Sequence, residues 1–458
     1  MNLPLAERED YIQDYGSLPG RNILQAAAPF CFCLARLAAM STYPRLFRVH
    51  QHFARPRVDD IAGEVAAQLQ SLHLSGVIQP GQRVAITAGS RGIAHINIII
   101  KAICDHVRSL GALPFIVPAM GSHGGGTAEG QRQLIEGYGI TEAFCGCPIL
   151  ASMETVVVCE AAEGFPVHFD KHAFAADHVI VCGRIKPHTG FVGEIESGLM
   201  KMMLIGLGKH EGAKIYHRAI MNYSFGQILR SVAREVLARC RVVAGLAIVE
   251  NAYDETAWIE AVAPNAFETR EPELLKLARE WLPRLPFKTA DILLIDEIGK
   301  NISGTGMDTN VIGRKYNDHV AWPDEYPKIK RVAVRSLTPE THGNATGIGI
   351  SEFCRSQALR DMDQRITRIN CLTGGHPTAA MLPLDYETDR EMIDAMLPTI
   401  GLTAPQDARL MWIRNTLHVA ELECSEAYYS EAQARSDLEI VIPPRDMPFD
   451  AAGNLVAS

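Results

Sequence analysis

The 458-residue sequence lacks both an excess of positive charge and a long apolar run. Its formal net charge is -9, and its basic residues 331–335 alternate with valine instead of forming a basic stripe. This composition excludes the usual electrostatic footprint of a nucleic-acid or membrane-surface protein. The apolar run at residues 26–34 ends before Arg36 and is too short to cross a bilayer. We therefore expect no nucleic-acid partner and no membrane association.

The first residues also lack the positive charge that precedes the apolar core of a signal peptide. Glu7, Glu9 and Asp10 stand there instead. We expect residues 1–39 to be a poorly ordered extension or an artefact of the assigned start site. The working part of the chain then begins near Met40, and we expect the protein to be cytoplasmic.

The 11 cysteines lack the spacing of a metal-binding ladder. Cys31 and Cys33 form one C-x-C pair, and Cys145 and Cys147 form another, but neither is followed by a second pair at zinc-ribbon spacing. We expect buried, reduced thiols.

Strand-like and helix-like segments alternate from residue 40 onward. The predicted helices are residues 58–74, 92–110, 127–137 and 225–239. Residues 81–87 are predicted as a turn that enters a strand, and further strands are predicted at residues 114–118, 178–182 and 242–249. This alternation predicts βαβ units and a largely parallel sheet.

A domain boundary is predicted at residues 281–288, where Pro283 and Pro286 interrupt a helical segment. The second half has its own predicted strands at residues 291–296, 331–334 and 369–372, and helices at residues 351–362 and 389–396. The predicted fold class is α/β, with two α/β domains, residues 40–284 and 285–458, and mainly parallel sheets. We expect the active site in the cleft between the domains, at the carboxyl ends of the strands, with the second domain closing over the substrate.

Two loops that join a strand to a helix carry candidate site residues. Residues 87–92 include Ser90 and Arg91, and backbone N–H groups at such a junction bind anions, to which an arginine adds a bidentate donor. The alternative is a tight turn with an exposed arginine. Residues 121–126 (GSHGGG) lack the lysine of a phosphate-binding loop. Their glycines let a ligand approach the backbone closely beside His123, although a lone histidine can also be structural.

A third group of candidates begins at residues 186–191 (KPHTGF) and continues to Lys201 and His217. His188 follows a predicted strand, where α/β proteins place reacting groups. Lys201 has leucine and methionine neighbours that disfavour its charged form and make its amine more nucleophilic, unless it is a surface lysine whose stem covers apolar neighbours. His217 has the donor chemistry of a metal ligand. One histidine is too few for a site made only of protein ligands, so an organic group would have to supply the rest.

These residues resemble the nickel-pincer-nucleotide-dependent racemases and epimerases of the lactate racemase superfamily, and a non-lactate branch in particular. The resemblance covers residues 45–430 and is strongest over 84–217. It implies that Lys201 carries pyridinium-3,5-bisthiocarboxylic acid mononucleotide and that His217 is the protein ligand of its nickel ion. It also implies that His123 and His188 are the two catalytic acid/bases. Arg91, with Ser90 beside it, falls in the region that anchors cofactor or substrate.

The activity implied by the resemblance is racemisation or epimerisation of a small 2-hydroxy acid through reversible hydride transfer. It further implies cofactor-synthesis and nickel-insertion proteins as partners. The acidic residues Glu194 and Glu196 stand where the lactate enzymes have a shorter, glycine-rich stretch. This difference favours a larger substrate, such as a sugar acid, or else places both carboxylates in an exposed loop.

Three residues of the second half are candidates for contact with the substrate. Asp308 lies in the glycine-rich segment at residues 304–310, which resembles a loop of the same family. Arg314 or Lys315 could replace the family's substrate-binding lysine.

Two other functions fit the same residues. A zinc hydrolase or hydro-lyase would use His123, His188 and His217 as three metal ligands with one open position, and Lys201 would then be incidental. A non-enzymatic cofactor carrier or ligand-binding protein would use the same loops without catalysis.

Overall fold

The first sheet has five strands, in the order β3-β2-β6-β7-β8. It is seen in a computed structural model that describes residues 43–90 and 92–456. The strands are β2 (Arg83–Ala88), β3 (Leu113–Pro118), β6 (His178–Arg184), β7 (Val242–Glu250) and β8 (Thr256–Val262). Four neighbouring strands are parallel, and β8 joins β7 in the antiparallel direction. A separate hairpin is formed by β4 (Thr155–Glu160) and β5 (Pro166–Asp170).

Helices cover both faces of this sheet. They are α1 (Ile61–Ser71), α2 (Ile96–Ser109), α3 (Ala128–Gly137), α4 (Glu142–Cys145), α5 (Lys171–Phe174), α6 (Leu199–Lys201), α7 (Lys209–Ala219), α8 (Phe225–Arg239) and α9 (Phe267–Glu280). Alternate residues of one strand enter opposite cores: Ala85 belongs to one apolar cluster, whereas Val84 and Ile86 belong to the other. A strand buried on both faces needs apolar residues at nearly every position, which explains the continuous apolar runs.

The second sheet has eight strands, in the order β12-β11-β10-β9-β13-β14-β1-β15. The strands are β1 (Leu46–Gln51), β9 (Thr289–Ile298), β10 (Lys328–Leu337), β11 (Phe353–Arg355), β12 (Leu384–Tyr386), β13 (Leu410–Ile413), β14 (Glu421–Ser425) and β15 (Leu438–Arg445). The first five strands of that order, from β12 to β13, are parallel. The remaining strands, β14, β1 and β15, continue the sheet in antiparallel pairs. The helices of this half are α10 (Thr309–Ile312), α11 (Ser356–Arg360), α12 (Gln364–Thr373), α13 (Asp389–Met396) and α14 (Tyr429–Gln433).

The predicted α/β class with mainly parallel sheets is confirmed, but two predicted elements are wrong. Residues 369–372, predicted as a strand, lie in α12, which Asp363 caps by accepting a hydrogen bond from the Ile366 N–H. The buried residues of α12, Thr367 and Cys371, are spaced at a helical period. The predicted helix at residues 351–362 is instead the short strand β11 followed by α11, because β11 pairs with β10.

The predicted division at residue 285 falls between α9 and β9, where the chain passes from the first sheet to the second. Residues 41–458 form one compact unit, and the separation into domains 40–284 and 285–458 stays a prediction. Strand β1 precedes the first sheet in sequence but pairs with β14 and β15 of the second. The prediction for residues 1–39 lies outside the described residues.

The nine cysteines of the described residues are free thiols, and all except Cys159 are buried. No helix in this part of the chain combines the length and apolar character that crossing a membrane requires.

Candidate active site

Three of the predicted loops leave the first sheet along one edge. Ser90 follows β2, the loop with His123 follows β3, and His188 follows β6. These strands are parallel neighbours, so their carboxyl ends lie side by side. The sheet therefore places both histidines on the side where α/β proteins bind ligands.

The His123 loop is held by Ser90 on one side and by α3 on the other. Ser90 Oγ lies 2.5 Å from His123 Nδ1. The buried Gln131 amide of α3 donates to the carbonyl oxygens of Gly121, at 2.9 Å, and His123, at 3.3 Å. A Cβ at Gly124 would lie 2.6 Å from the Gln131 nitrogen, and the φ of Gly124 is +65°. Its glycine therefore serves both the turn and the close approach to α3.

His188 is oriented by its own loop. The N–H groups of Gly190 and Phe191 both donate to His188 Nδ1 at 3.0 Å. A neutral His188 ring with these bonds carries its proton on Nε2. The ring also stacks on Phe191, with 4.2 Å between centroids and an interplanar angle of 14°.

Lys201 ends the short helix α6, and the chain continues as a π-helical turn over Met202–Gly206. Such turns are rare and frequently occur at functional sites. Lys201 Nζ lies 5.5 Å from the ring centroid of Phe191 and 5.9 Å from that of Phe225. Two stacked aromatic rings thus form one wall beside the amine.

Glu271 of α9 binds the backbone at the start of α6. Its fully buried carboxyl accepts a hydrogen bond from the Met200 N–H at 2.9 Å. Burial raises the pKa of this carboxyl to about 8, against the lowering effect of the Met200 and Leu199 N–H groups. Glu271 was not predicted, because a glutamate in a charged helix normally faces solvent.

His217 lies on α7 and is close enough to Lys201 for their charges to interact. Burial lowers the pKa of His217, and the positive charge of Lys201 lowers it further. A neutral imidazole is the form that binds a transition metal. Lys201 and His217, 16 residues apart in sequence, are therefore brought together by the fold.

Lys209, at the start of α7, is the most deeply buried cation near these residues and was not predicted. Its Nζ donates to the carbonyl oxygen of Pro118, at the end of β3, and lies 3.0 Å from Asp170 Oδ2. Burial lowers the pKa of Lys209, and Asp170 opposes this shift. Lys209 Nζ also lies 3.4 Å from Gln131 Oε1, so α7 is linked to the residue that holds the His123 loop.

His210 also faces this loop and was missed. Its Nδ1 is buried and has no hydrogen-bond partner among the described residues. A Cβ at Gly126 would lie 4.0 Å from that nitrogen. In the sequence only its position beside Lys209 distinguishes it.

Residues 308–310 connect the second half of the chain to residues 186–191, which carry His188 and are called the His188 segment. Lys186 Nζ lies 3.1 Å from Asp308 Oδ2. Thr309 donates to the carbonyl oxygen of Thr189 at 2.6 Å, and Asn310 donates to that of His188 at 3.2 Å. The predicted residue Asp308 is 2% exposed, and it anchors the segment that carries His188.

Glu196 also binds the His188 segment. Its buried carboxylate accepts a hydrogen bond from the His188 N–H at 2.8 Å and binds Lys315 Nζ at 2.6 Å and Arg279 Nη2 at 2.9 Å. Glu194, by contrast, is exposed and pairs with Arg230. Of the two carboxylates considered together in the sequence, only Glu194 lies in an exposed position.

The two predicted cations of the second half have protein partners. Burial lowers the pKa of Lys315, and its pairing with Glu196 opposes the shift. Arg314 is 1% exposed, pairs with Glu352 at 2.8 Å and donates to the carbonyl oxygen of Ile350 at 2.6 Å. These contacts stabilise the second half, and a substrate-binding role for either residue stays a prediction. Arg91 lies outside the described residues.

The donor set fits a metal held mainly by an organic group. Within residues 43–90 and 92–456, no three His, Cys, Asp or Glu side chains converge to hold a metal ion. A conventional zinc site with His123, His188 and His217 as ligands needs such a cluster. The site instead offers one neutral histidine, His217, near the amine of Lys201, which has an aromatic wall beside it.

Part of the chain matches a known protein family. Residues 47–226 match the model of the lactate racemase N-terminal domain. Residues 47–226 are therefore similar to that domain. The matched region contains every first-half candidate residue named above up to His217, together with Glu196 and Lys209. Glu271 lies beyond the matched region.

Two solved structures are similar to the chain at low identity. The lactate racemase apoprotein of Thermoanaerobacterium thermosaccharolyticum is 12% identical, with 81% of this chain and 94% of that one covered and a TM-score of 0.49. A protein of Thermotoga maritima is 11% identical, with 62% and 72% covered and a TM-score of 0.45. No curated protein matches the chain.

Proposed function

We propose that the protein is a racemase or epimerase of a 2-hydroxy acid and uses a nickel-pincer nucleotide attached to Lys201. The observation that carries the proposal is the proximity of Lys201 to the neutral His217, in a lactate racemase-like domain that places His123 and His188 at one sheet edge. Lys201 would hold the organic group covalently, and His217 would bind its nickel ion. When bound, this group supplies an acceptor for the α-hydrogen of the substrate as hydride.

The two histidines then move the hydroxyl proton. Inversion at the α-carbon passes through a flat 2-keto acid, so a base on one side and an acid on the other serve the two enantiomers. Ser90 holds the ring of His123, and the Gly190 and Phe191 N–H groups hold that of His188. His188 would exchange its proton with the substrate oxygen through Nε2, since its Nδ1 accepts from the loop N–H groups.

The second half orients this site. Asp308, Thr309 and Asn310 bind Lys186 and the backbone of the His188 segment, and Glu196 binds its N–H from the other side. Such contacts keep a reacting side chain within the small positional tolerance that catalysis requires. In the same proposal the cofactor is delivered by cofactor-synthesis and nickel-insertion proteins in the cytoplasm.

Intact mass and metal analysis of protein co-produced with those partners test the proposal. We expect a covalent adduct containing sulfur and one nickel per chain, absent in Lys201→Ala and retained in Lys214→Ala, an exposed lysine of α7. We also expect loss of optical purity of a 2-hydroxy acid in D2O without exchange of its α-hydrogen. An unmodified chain that binds only zinc would overturn the proposal. An adduct-bearing chain inactive on a broad panel of 2-hydroxy acids would indicate a carrier.

A further inference from the structure

Three cysteine thiols meet between α2 and the segment that follows α4, and we call them the thiol cluster. Cys104 lies on α2, Cys145 ends α4, and Cys147 follows it closely. The Sγ atoms of Cys104 and Cys147 are 3.5 Å apart, and Cys145 is close enough to Cys104 for a hydrogen bond between their thiols. A disulfide places its sulfurs about 2 Å apart, so a small movement converts the Cys104–Cys147 contact into a covalent bond.

Cys147 is the member of the thiol cluster that solvent reaches. It is 7% exposed, whereas Cys104 and Cys145 are fully buried. Its neighbours Gly146 and Pro148 are exposed, so its thiol lies directly beneath the surface. Because access limits thiol oxidation, this position suits a small oxidant such as hydrogen peroxide better than a bulky one such as glutathione disulfide.

A metal site is the other use of three clustered thiols. Metal ligands must converge on one point. Within residues 43–90 and 92–456, no three His, Cys, Asp or Glu side chains do so. The arrangement of the thiol cluster therefore favours a reaction between two sulfurs.

The surroundings of the thiol cluster favour a thiolate on Cys147. A hydrogen bond from the Cys104 thiol lowers the pKa of Cys147, burial opposes the shift, and the Arg108 guanidinium adds to it. Arg108 is fixed there, since its Nη1 donates to the carbonyl oxygen of Cys145 at 2.9 Å. Hydrogen bonding to Cys145 and Cys147, together with burial, raises the pKa of Cys104. Cys147 therefore has the character of the attacking thiol, and Cys104 that of its neutral partner.

Cys159 offers a comparison within the same part of the chain. It is more exposed than Cys147, and its thiol donates to the Glu235 carboxylate at 3.5 Å. Burial and this hydrogen bond raise the pKa of Cys159. Exposure alone would make Cys159 the more readily oxidised thiol, whereas thiolate character and a neighbouring sulfur select Cys147.

We propose that Cys147 and Cys104 form a dithiol site that hydrogen peroxide oxidises to a disulfide. The Cys147 thiolate attacks one oxygen of the peroxide, breaks the O–O bond and becomes a sulfenic acid, and hydroxide leaves. The Cys104 thiol then attacks that sulfur, the S–S bond forms, and the sulfenic oxygen leaves as water. In total the two thiols give up two electrons and two protons, and one peroxide becomes two water molecules.

The disulfide joins α2 to the segment that covers the outer edge of β3. Backbone bonds hold this segment to β3: the Ile116 N–H donates to the carbonyl oxygen of Pro148 at 2.9 Å, and the Leu150 N–H donates to that of Ile116 at 2.8 Å. The loop that the bond closes, residues 104–147, contains β3, the His123 loop and α3. A covalent link therefore restrains local opening at this edge of the sheet.

Peptide mapping of the peroxide-treated full chain tests the proposal. Trypsin releases Cys104 in residues 102–108 and Cys145, Cys147 and Cys159 together in residues 133–171. We expect the two peptides joined, about 2 Da below their summed mass, with fragmentation placing the bond on Cys147. We also expect this bond to form about tenfold faster than Cys159 is oxidised. Faster oxidation of Cys159, a bond to Cys145, or no joined peptide in excess peroxide would overturn the proposal.

Two variants separate the roles of the thiols. In Cys104→Ser the partner thiol is missing, so we expect a Cys147 sulfenic acid that dimedone traps. In Cys147→Ser we expect Cys104 to stay reduced, and a disulfide that still forms there would reject the assignment. Cys182→Ser removes another buried cysteine and is the control, in which the disulfide should form at the wild-type rate. The mapping of the wild-type chain decides the proposal even if a variant fails to fold.

Discussion

The Lys209 ammonium lies 3.0 Å from the Asp170 carboxylate, and both side chains are fully excluded from solvent. Through Gln131 and Pro118 this pair joins α7, which carries His217, to the loop that carries His123. It links a candidate metal ligand to a candidate acid/base.

Replacement of Lys209 by methionine should leave the Asp170 charge buried without its partner. We expect the free energy of unfolding to fall by about 3–5 kcal/mol, measured by urea denaturation. Lys214→Met on the same helix is the control: its ion pair with Glu211 is half exposed, so its effect should stay below about 1 kcal/mol. Equal losses in the two variants would contradict this account.

Glu271 should make the stability of the protein depend on pH. Its folded-state pKa of about 8 lies above the usual 4.5, so the folded protein binds the extra proton. The contribution of the protonated Glu271 carboxyl to the free energy of unfolding is fully present below pH 4.5 and is lost as the pH rises through 8. Between pH 5 and pH 8 we expect the free energy of unfolding of the wild type, measured by urea denaturation, to fall by up to about 4 kcal/mol relative to that of Glu271→Gln.

The matched control for that measurement is Glu273→Gln, an exposed position of the same helix paired with Arg270. Its stability difference from wild type should not change over this pH range. If Glu271→Gln also runs parallel to wild type, the carboxyl does not hold its proton in the folded state.

Glu196→Gln should weaken both the fold and the proposed catalysis. The change removes the charge that Lys315 and Arg279 share and leaves Lys315 nearly buried without a counter-ion. We expect the free energy of unfolding to fall by about 3 kcal/mol. We also expect kcat for racemisation to fall, because the His188 segment is held less firmly. Glu194→Gln, exposed and two residues away, should change neither quantity. A loss of kcat in Glu194→Gln would indicate that the acidic segment acts on the substrate.

Ser90→Ala tests whether the hydroxyl orients His123. Loss of one hydrogen bond of about 1 kcal/mol predicts a fall in kcat of about fivefold. Ser90→Thr keeps the hydroxyl and should restore kcat. An altered stability with unchanged kcat would make the contact purely structural.

The positions of Ser90, His123 and His188 could be predicted because parallel strands bring their carboxyl ends to one edge. Apolar runs with turn residues at their ends were sufficient to find those strands. The short segments of the second half were less predictable, since residues 369–372 have both strand-like composition and helical spacing. Strand β1 was missed because its partners, β14 and β15, lie more than 350 residues away.

Side-chain environments could not be read from residue types. Arg314 resembled an anion-binding residue, yet its guanidinium bonds to backbone carbonyl oxygens and Glu352. Glu196 resembled its neighbour Glu194, yet one is buried among cations and the other is exposed. Lys209 stands in a polar sequence and is nevertheless fully buried.

The sequence by itself determined the alternation of strands and helices, the loops at the strand ends and the identity of the reactive side chains. These properties depend on local periodicity and on functional groups, which neighbouring residues express. Only the tertiary structure decided that Lys201 comes close enough to His217 for their charges to interact, that Lys209 pairs with Asp170 and that residues 308–310 hold the His188 segment. Each of those relationships joins residues apart in the chain, and the burial that lowers the pKa values of His217 and Lys209 exists only after the core has formed.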